Sequence, residues 1–194
     1  FFEGVVPYPD EDCDFKGSTG EEYEFYETEM ITLHDEIQTM NEHLRAFSFK
    51  EALTQLMSIS TKGNQLLQYN EPWKLIKESP EATATVINVC LQYATAISIC
   101  CRPFLPYTSD KLRTLLNLTP IIENGELDDM LTALSEGEKL IEADHKLNEP
   151  LHLFSKIEND VIEAQVLKLH GSKEEAKTVE NKNPIKAEIT YDDF

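Results

Sequence analysis

Apolar residues recur with helical spacing along most of the chain. Tyr26, Met30, Leu33, Ile37, Met40, Leu44 and Phe47 step alternately by four and three. That rhythm places all seven on one stripe of a helix. Thr19 with Glu22 forms a capping-box pattern, so the helix is expected to start there and to end near Phe47. Ser48 with Glu51 repeats the pattern. It opens a second helix bearing Ala52, Leu53, Leu56, Met57, Ile59, Leu66 and Leu67, ending near Tyr69. Almost no loop separates the two, which predicts antiparallel neighbours.

Two cap-then-proline starts follow. Asn70 or Glu71 before Pro72 opens a short helix to about Lys77, and Ser79 before Pro80 opens a long one over Ala82 to about Cys101. Proline suits the first helical turn because its missing N–H has no partner to lose there. The long helix is apolar on most faces, with Val86, Val89, Cys90, Tyr93, Ala96, Ile97 and Cys100, and should be central. Pro103 and Pro106 end it. Thr108 or Ser109 opens a short helix through Asn117, and residues 119–150 read as short turns and loops. Pro150 to His170 reads as a last helix, with Phe154, Ile157, Val161, Ala164 and Leu167 on one stripe and Gly171 as its stop. With essentially no strand signal and no internal repeat, the expected class is an all-α, antiparallel helix bundle.

Composition narrows the function. The 194 residues carry 17 Lys+Arg against 36 Asp+Glu, a formal charge of −19. The acids cluster: residues 1–36 hold 12 acids and 1 base, and residues 119–170 hold 12 acids and 4 bases. Residues 37–118 hold 6 acids and 8 bases. An acidic surface repels a polyanion, so any nucleic acid must meet the middle third. Seven glycines argue against a barrel or a glycine-rich nucleotide loop. No apolar run is expected to reach the roughly 18 residues of a membrane span, and no signal-peptide pattern opens the chain, which predicts no membrane partner. The first residue is Phe, so the chain is expected to begin inside a longer protein. Cys13, Cys90, Cys100 and Cys101 form no Cys-x-x-Cys motif. They read as reduced core residues, and hence as a cytoplasmic protein.

Signatures of catalysis are missing: there is no His-Glu-x-x-His, nucleotide loop, dinucleotide fingerprint or Gly-x-Ser-x-Gly elbow. Glu149 with His152 is a Glu-x-x-His match, and Pro150 inside it places it at a helix start rather than in a bundle core. No metal site is expected, and His34, His43, His145 and His170 read as surface or core-edge residues. The single tryptophan, Trp73, stands in Gln68-Tyr-Asn-Glu-Pro-Trp-Lys-Leu-Ile-Lys77. One reading makes Trp73 a core anchor or hydrophobic staple. The other makes it a platform on which an unpaired base stacks, with Asn70 at a base edge and Lys74 and Lys77 near phosphates. An exposed ring beside Asn70 and the two lysines distinguishes the second from the first. Lys111 and Arg113 would add local attraction, and the binding should be weak and strongly salt-dependent.

The segment Leu67-x-x-Asn70-Glu71-Pro72-Trp73-x-Leu75 resembles the anticodon-binding bundle of methionyl-tRNA synthetases. Other features follow in the family's order. Phe1-Phe2-x-Gly4-x-Val6-Pro7 resembles the end of the first bundle helix, and Phe49-Lys-Glu-Ala-Leu53 the start of the next but one. Arg102-Pro-Phe-Leu-Pro106 resembles the double-proline turn, and Leu153-Phe-Ser-Lys-Ile-Glu158 a helix that packs back toward the catalytic domain. Ile189-Thr-Tyr-Asp-Asp-Phe194 resembles the opening of a C-terminal oligonucleotide-binding tRNA-binding domain, through which enzymes carrying it dimerise.

The resemblance implies a bundle over 1–170 with its first helix truncated, a linker over 171–187, and the start of a truncated C-terminal domain at 188–194. It implies a domain that reads the CAU anticodon of tRNA(Met), with Trp73 stacked on the first anticodon base, Pro72 fixing the turn, and Asn70 at a more variable polar position. The family's anticodon-reading Asn and Arg on the first bundle helix lie upstream of Phe1. The catalytic domain, which uses ATP and carries the zinc knuckle, is likewise not in this sequence. The implied parent is a methionine–tRNA ligase, while nothing here is expected to catalyse. The alternative is an acidic helical adaptor for a basic protein, with Trp73 structural.

Overall fold

The computed structural model describes residues 2–12, 14–16, 22–120, 125–154 and 157–180. The fold is all-α with one small hairpin. Strand β1 (Asp14–Lys16) pairs antiparallel with β2 (Glu22–Glu24), Phe15 opposite Tyr23. Helix α1 (Phe25–Arg45) follows, then α2 (Phe49–Asn70), α3 (Pro72–Leu75), α4 (Pro80–Cys100), α5 (Pro106–Leu115), α6 (Glu126–Ser135) and α7 (Asn159–Glu180). Contacts divide the chain into a unit over 1–153 and a second over 154–194.

The hairpin corrects the expected start of α1. Glu22 lies in β2, and the helix begins at Phe25 with Glu24 as its N-cap. Thr19, the other half of the expected capping box, lies outside the described residues. Phe25, the first residue of the helix, is fully buried. Glu3 and Gly4 make a turn at positive φ. After it, residues 5–10 run extended and are tied down: Val6 N–H donates to the His145 carbonyl (2.9 Å), and Val5 pairs with Lys146.

Helix α4 is the hub, touching α1, α2, α3, α5 and α6. By length and composition it could cross a membrane, contrary to the expectation from the sequence, but most of it is buried inside the bundle. Ser79 caps it, accepting from the Ala82 N–H at 3.2 Å, with Pro80 at the first turn as expected. Val86, Val89, Tyr93, Ala96 and Cys100 are buried against Leu33, Ile37 and Met40 of α1 and Leu56, Ile59 and Leu66 of α2. Fully burying a side chain of this size contributes about 1.5–3 kcal/mol. Gly63 of α2 faces Tyr93 of α4, where a Cβ would make ordinary contact at 3.4 Å from Cβ of Tyr93.

Helix α4 also buries a polar face that its apolar pattern did not announce. Asn88 and Gln92 are fully buried. Asn88 Nδ2 donates to the Pro7 carbonyl (2.8 Å), and Gln92 Nε2 donates to the Ile141 carbonyl (2.9 Å). Gln92 Oε1 accepts from the N–H groups of Leu140 (2.8 Å) and Ile141 (3.2 Å). Two loop segments distant in sequence are thereby fastened to the central helix. A buried polar group is tolerated only when so partnered.

Helices α1, α5 and α6 end alike. The residue after the cap is left-handed, and the next N–H reaches back to the carbonyl five residues earlier: Ser48 to His43, Leu118 to Arg113, Glu138 to Ala133. The left-handed residue is Phe47, Asn117 and Gly137 respectively. Phe47 therefore leaves the apolar stripe on which the spacing placed it and is 79% exposed. Leu53 and Met57 of α2 also face solvent. The Ser48–Glu51 box marks the start of α2 correctly, but Ser48 makes no side-chain cap bond.

In the second unit α7 begins at Asn159, nine residues after Pro150, and runs past Gly171 to Glu180. Gly171 is thus not its stop. Phe154 and Ile157 precede the helix and are exposed, while Ser155 and Lys156 lie outside the described residues. Residues 181–194, including the expected start of a C-terminal domain, also lie outside them. Cys90, Cys100 and Cys101 are free thiols. Burial pushes Cys90 and Cys100 up to about 12, as suits inert core residues. Cys13 lies outside the described residues.

Candidate nucleic-acid interface

The end of α2 is built to turn. Glu71 adopts a left-handed conformation (φ 39°, ψ 59°), which breaks α2 and restarts the chain as α3. Pro72 then occupies the first position of α3. In this one-turn helix Pro72 is buried and Leu75, three residues on, packs against the core. Helical spacing then turns the intervening Trp73 and Lys74 outward. Trp73 is 45% exposed, its inner half seated and its outer half open to solvent. The expected alternative, a buried core anchor, does not describe this ring.

Asn70 is half-buried, and its Nδ2 donates to the Leu66 carbonyl at 2.9 Å. That bond orients the amide and leaves Oδ1 as an acceptor beside the turn. Lys74 is exposed but engaged: its Nζ meets both carboxylate oxygens of Glu71, at 2.7 and 2.8 Å. Lys77 is exposed on the next turn. Glu71, Lys74 and Lys77 thus place one carboxylate among two cations, a less basic patch than the lysines alone suggested.

The second expected cation pair does not survive folding. Lys111 is exposed, but Arg113 is 8% exposed. Its Nε donates to the Thr119 carbonyl at 2.8 Å, and Nη1 lies 3.9 Å from Glu126. It fastens the end of α5 and offers nothing to a phosphate. Conversely, Tyr69 was not singled out from the sequence. It is 81% exposed in the last turn of α2, four residues before Trp73. Its position off the Leu56–Ile59–Leu66 stripe was the available signal.

Glu149 and His152 are both exposed and lie outside any helix. Among the described residues no group of three or more His, Cys, Asp or Glu is arranged to hold a metal ion. His145 Nε2 lies 2.8 Å from the Leu116 carbonyl, a structural bond at the core edge.

The arrangement of helices is shared with a solved structure. The free-state methionyl-tRNA synthetase of Mycobacterium tuberculosis matches over 80% of this chain and 28% of its own, with a TM-score of 0.61 at 20% identity. The class is therefore an all-α bundle of the kind built into that synthetase. Over residues 17–174 the chain matches the family described as the anticodon binding domain of methionyl tRNA ligase, and it belongs to that family. The methionine–tRNA ligase of Flavobacterium psychrophilum is 35% identical over the whole chain, and that of Bacteroides fragilis 36%. The chain spans 26% of the length of each of these relatives. Family membership and the open Trp73 ring together disfavour the adaptor reading.

Proposed function

We propose that this chain reads the CAU anticodon of tRNA(Met) by stacking the first anticodon base on Trp73. The observation that carries the proposal is the half-exposed ring on a turn that Pro72 and Leu75 anchor inward. A preset aromatic face costs little to order when a base arrives, and stacking contributes about 1–3 kcal/mol per base. Pro72 and the left-handed Glu71 hold the ring's approach. Oδ1 of Asn70 can accept from the exocyclic amino group of cytosine, which is a donor at that edge. Lys77 can meet a phosphate directly, and Lys74 can do so after releasing Glu71.

In this reading the chain is the anticodon-binding part of a larger cytoplasmic ligase. A catalytic domain of the same polypeptide joins methionine to tRNA with ATP, and any zinc belongs to that part. The bundle covers residues 1–170, a linker follows to 187, and residues from 188 begin a C-terminal tRNA-binding module able to dimerise.

Trp73 is the single tryptophan, so its fluorescence is a direct test. Titration with a CAU anticodon stem-loop should quench it, and a loop with the cytosine replaced should quench it less. Equal quenching by both loops would leave stacking but remove the base-specific role of Asn70. If the CAU loop is bound without quenching, the proposal fails.

A further inference from the structure

Beyond the anticodon reading, the bundle contains a groove that RNA cannot use. It has a volume of about 670 Å³ and lies between the first half of α1, the end of α6 and residues 11–12. Its floor is apolar: Met30 and Leu134 are half-buried against the core, and Ile31 is exposed. Its rim is acidic, with carboxylates of Glu11, Asp12, Glu24, Glu27 and Glu138 and the ring of His34. A polyanion is repelled by such a rim. The groove also leaves internal needs unmet. Glu27 beside Glu24 raises the Glu24 pKa, a like-charge proximity that an added cation would relieve. Tyr26 lines the groove at 9% exposure, and its hydroxyl has no hydrogen-bond partner among the described residues.

The fold shows how the groove handles an ammonium group. Nζ of Lys139 sits 5.7 Å from the centroid of the Tyr26 ring and 2.6 Å from Glu11. A cation held by an aromatic face and a carboxylate together is a favourable pairing. One such lysine is supplied by the chain itself, and it occupies Glu11 alone among the five rim carboxylates.

We infer that this α1–α6 groove docks a basic amphipathic protein segment, in which lysine or arginine meets the Glu24, Glu27 and Glu138 rim and an aliphatic side chain rests on Met30, Ile31 and Leu134. Charge complementarity selects the cation, and the exposed Ile31 on an otherwise acidic face selects the apolar companion.

The test uses the intact chain and a short fluorescein-labelled peptide of lysine and leucine, followed by anisotropy. Because the chain carries a formal charge of −19, weak attraction to any cation is expected everywhere, so the comparison must be local. Glu27→Gln with Glu138→Gln should weaken the peptide about fivefold or more. Glu51→Gln with Glu78→Gln, an equal charge change at exposed sites away from the groove, should weaken it less than about twofold. Ile31→Ser should weaken it about threefold. A lysine–serine peptide should bind less well, and spermidine should compete poorly. Circular dichroism confirms that each variant, altered only at exposed positions, keeps its helices. Equal losses from the two charge-removing pairs would reduce the groove to bulk charge and overturn the proposal. So would binding that is indifferent to Ile31 and to leucine, or no binding of the peptide at all.

Discussion

The inner face of α4 and the turn after α2 use the same ingredients, an amide side chain and an aromatic ring within one helical turn, to opposite ends. On α4 Asn88 and Gln92 precede Tyr93, and all three are buried. The amides spend their hydrogen bonds on the Pro7 carbonyl and the backbone of residues 140 and 141. At the turn Asn70 precedes Trp73, one amide bond is used to orient the side chain, and the ring is left half open. The first set is fastened from both sides and makes the bundle. The second is fastened from one side only and keeps a face for a partner. An amide beside an aromatic does not announce which it will be. Backbone and burial decide, because a buried amide must satisfy itself within the protein while an exposed one can wait for a ligand.

Substitutions should separate the two sets cleanly. The largest effect is expected from Gln92→Leu, which orphans the Leu140 and Ile141 N–H groups and the Ile141 carbonyl in the interior. It should cost about 3 kcal/mol of stability, seen as a fall of roughly 6–12 °C in Tm, while the folded fraction still binds the CAU stem-loop normally. A wild-type Tm would break the comparison. Next, Trp73→Ala should lower stem-loop affinity by about 5- to 150-fold, the loss of one stacked base, with stability changing by no more than about 1 kcal/mol. Loss of fold instead of affinity would move Trp73 into the scaffold.

A smaller effect tests the two non-glycine left-handed turns that end α1 and α2. Phe47 (φ 58°) is exposed and supports no part of the proposed reading surface, so Phe47→Gly should relieve strain and stabilise by about 1 kcal/mol. Stem-loop binding should stay unchanged, as urea denaturation and fluorescence titration would show. Smaller again, Glu71→Gln should free Lys74 for phosphate. Affinity should tighten by about 0.5 kcal/mol and the salt dependence of log Kd should steepen by about one ion. An unchanged salt slope would mean that Lys74 does not meet the RNA.

Acidity sets a last contrast inside the scaffold. Glu29 and Glu36 stand beside Lys62, and burial, the main cause, raises both carboxyls above the ordinary 4.5. The folded state then holds protons more tightly than the unfolded chain. Stability should therefore rise as pH falls from neutral through the raised values toward 4.5, and be flat above them. The urea midpoint at pH 5 should exceed that at pH 7, and Glu29→Gln should shrink the difference. A midpoint that falls between pH 7 and pH 5 would contradict the burial effect.

Much of this was legible in the residues. The alternation of fours and threes from Tyr26 to Leu44 identified α1, and the cap-then-proline starts at Pro72 and Pro80 placed α3 and α4. Local spacing and backbone chemistry act within a few residues, so a sequence displays them directly. The same reasoning missed the hairpin before α1, because two three-residue strands are too short for a period to register. It misplaced α7 because Pro150 can start a helix but does not compel one. The order of motifs from Phe49 to Pro106 pointed to an anticodon-binding domain, to whose family the chain belongs.

Other properties depended on which groups the fold brought together. Arg113 looked like a free cation until Thr119 and Glu126 closed around it. Gln92 looked like a polar interruption until residues 140 and 141 reached it across 48 and 49 positions. The α1–α6 groove joins residues 11, 27 and 138, which no local pattern relates. Sequence by itself determined where helices form, because helix geometry is a matter of near neighbours. Tertiary structure decided how Arg113 is engaged and where the amide of Gln92 is spent, because those depend on partners beyond the local helical turn.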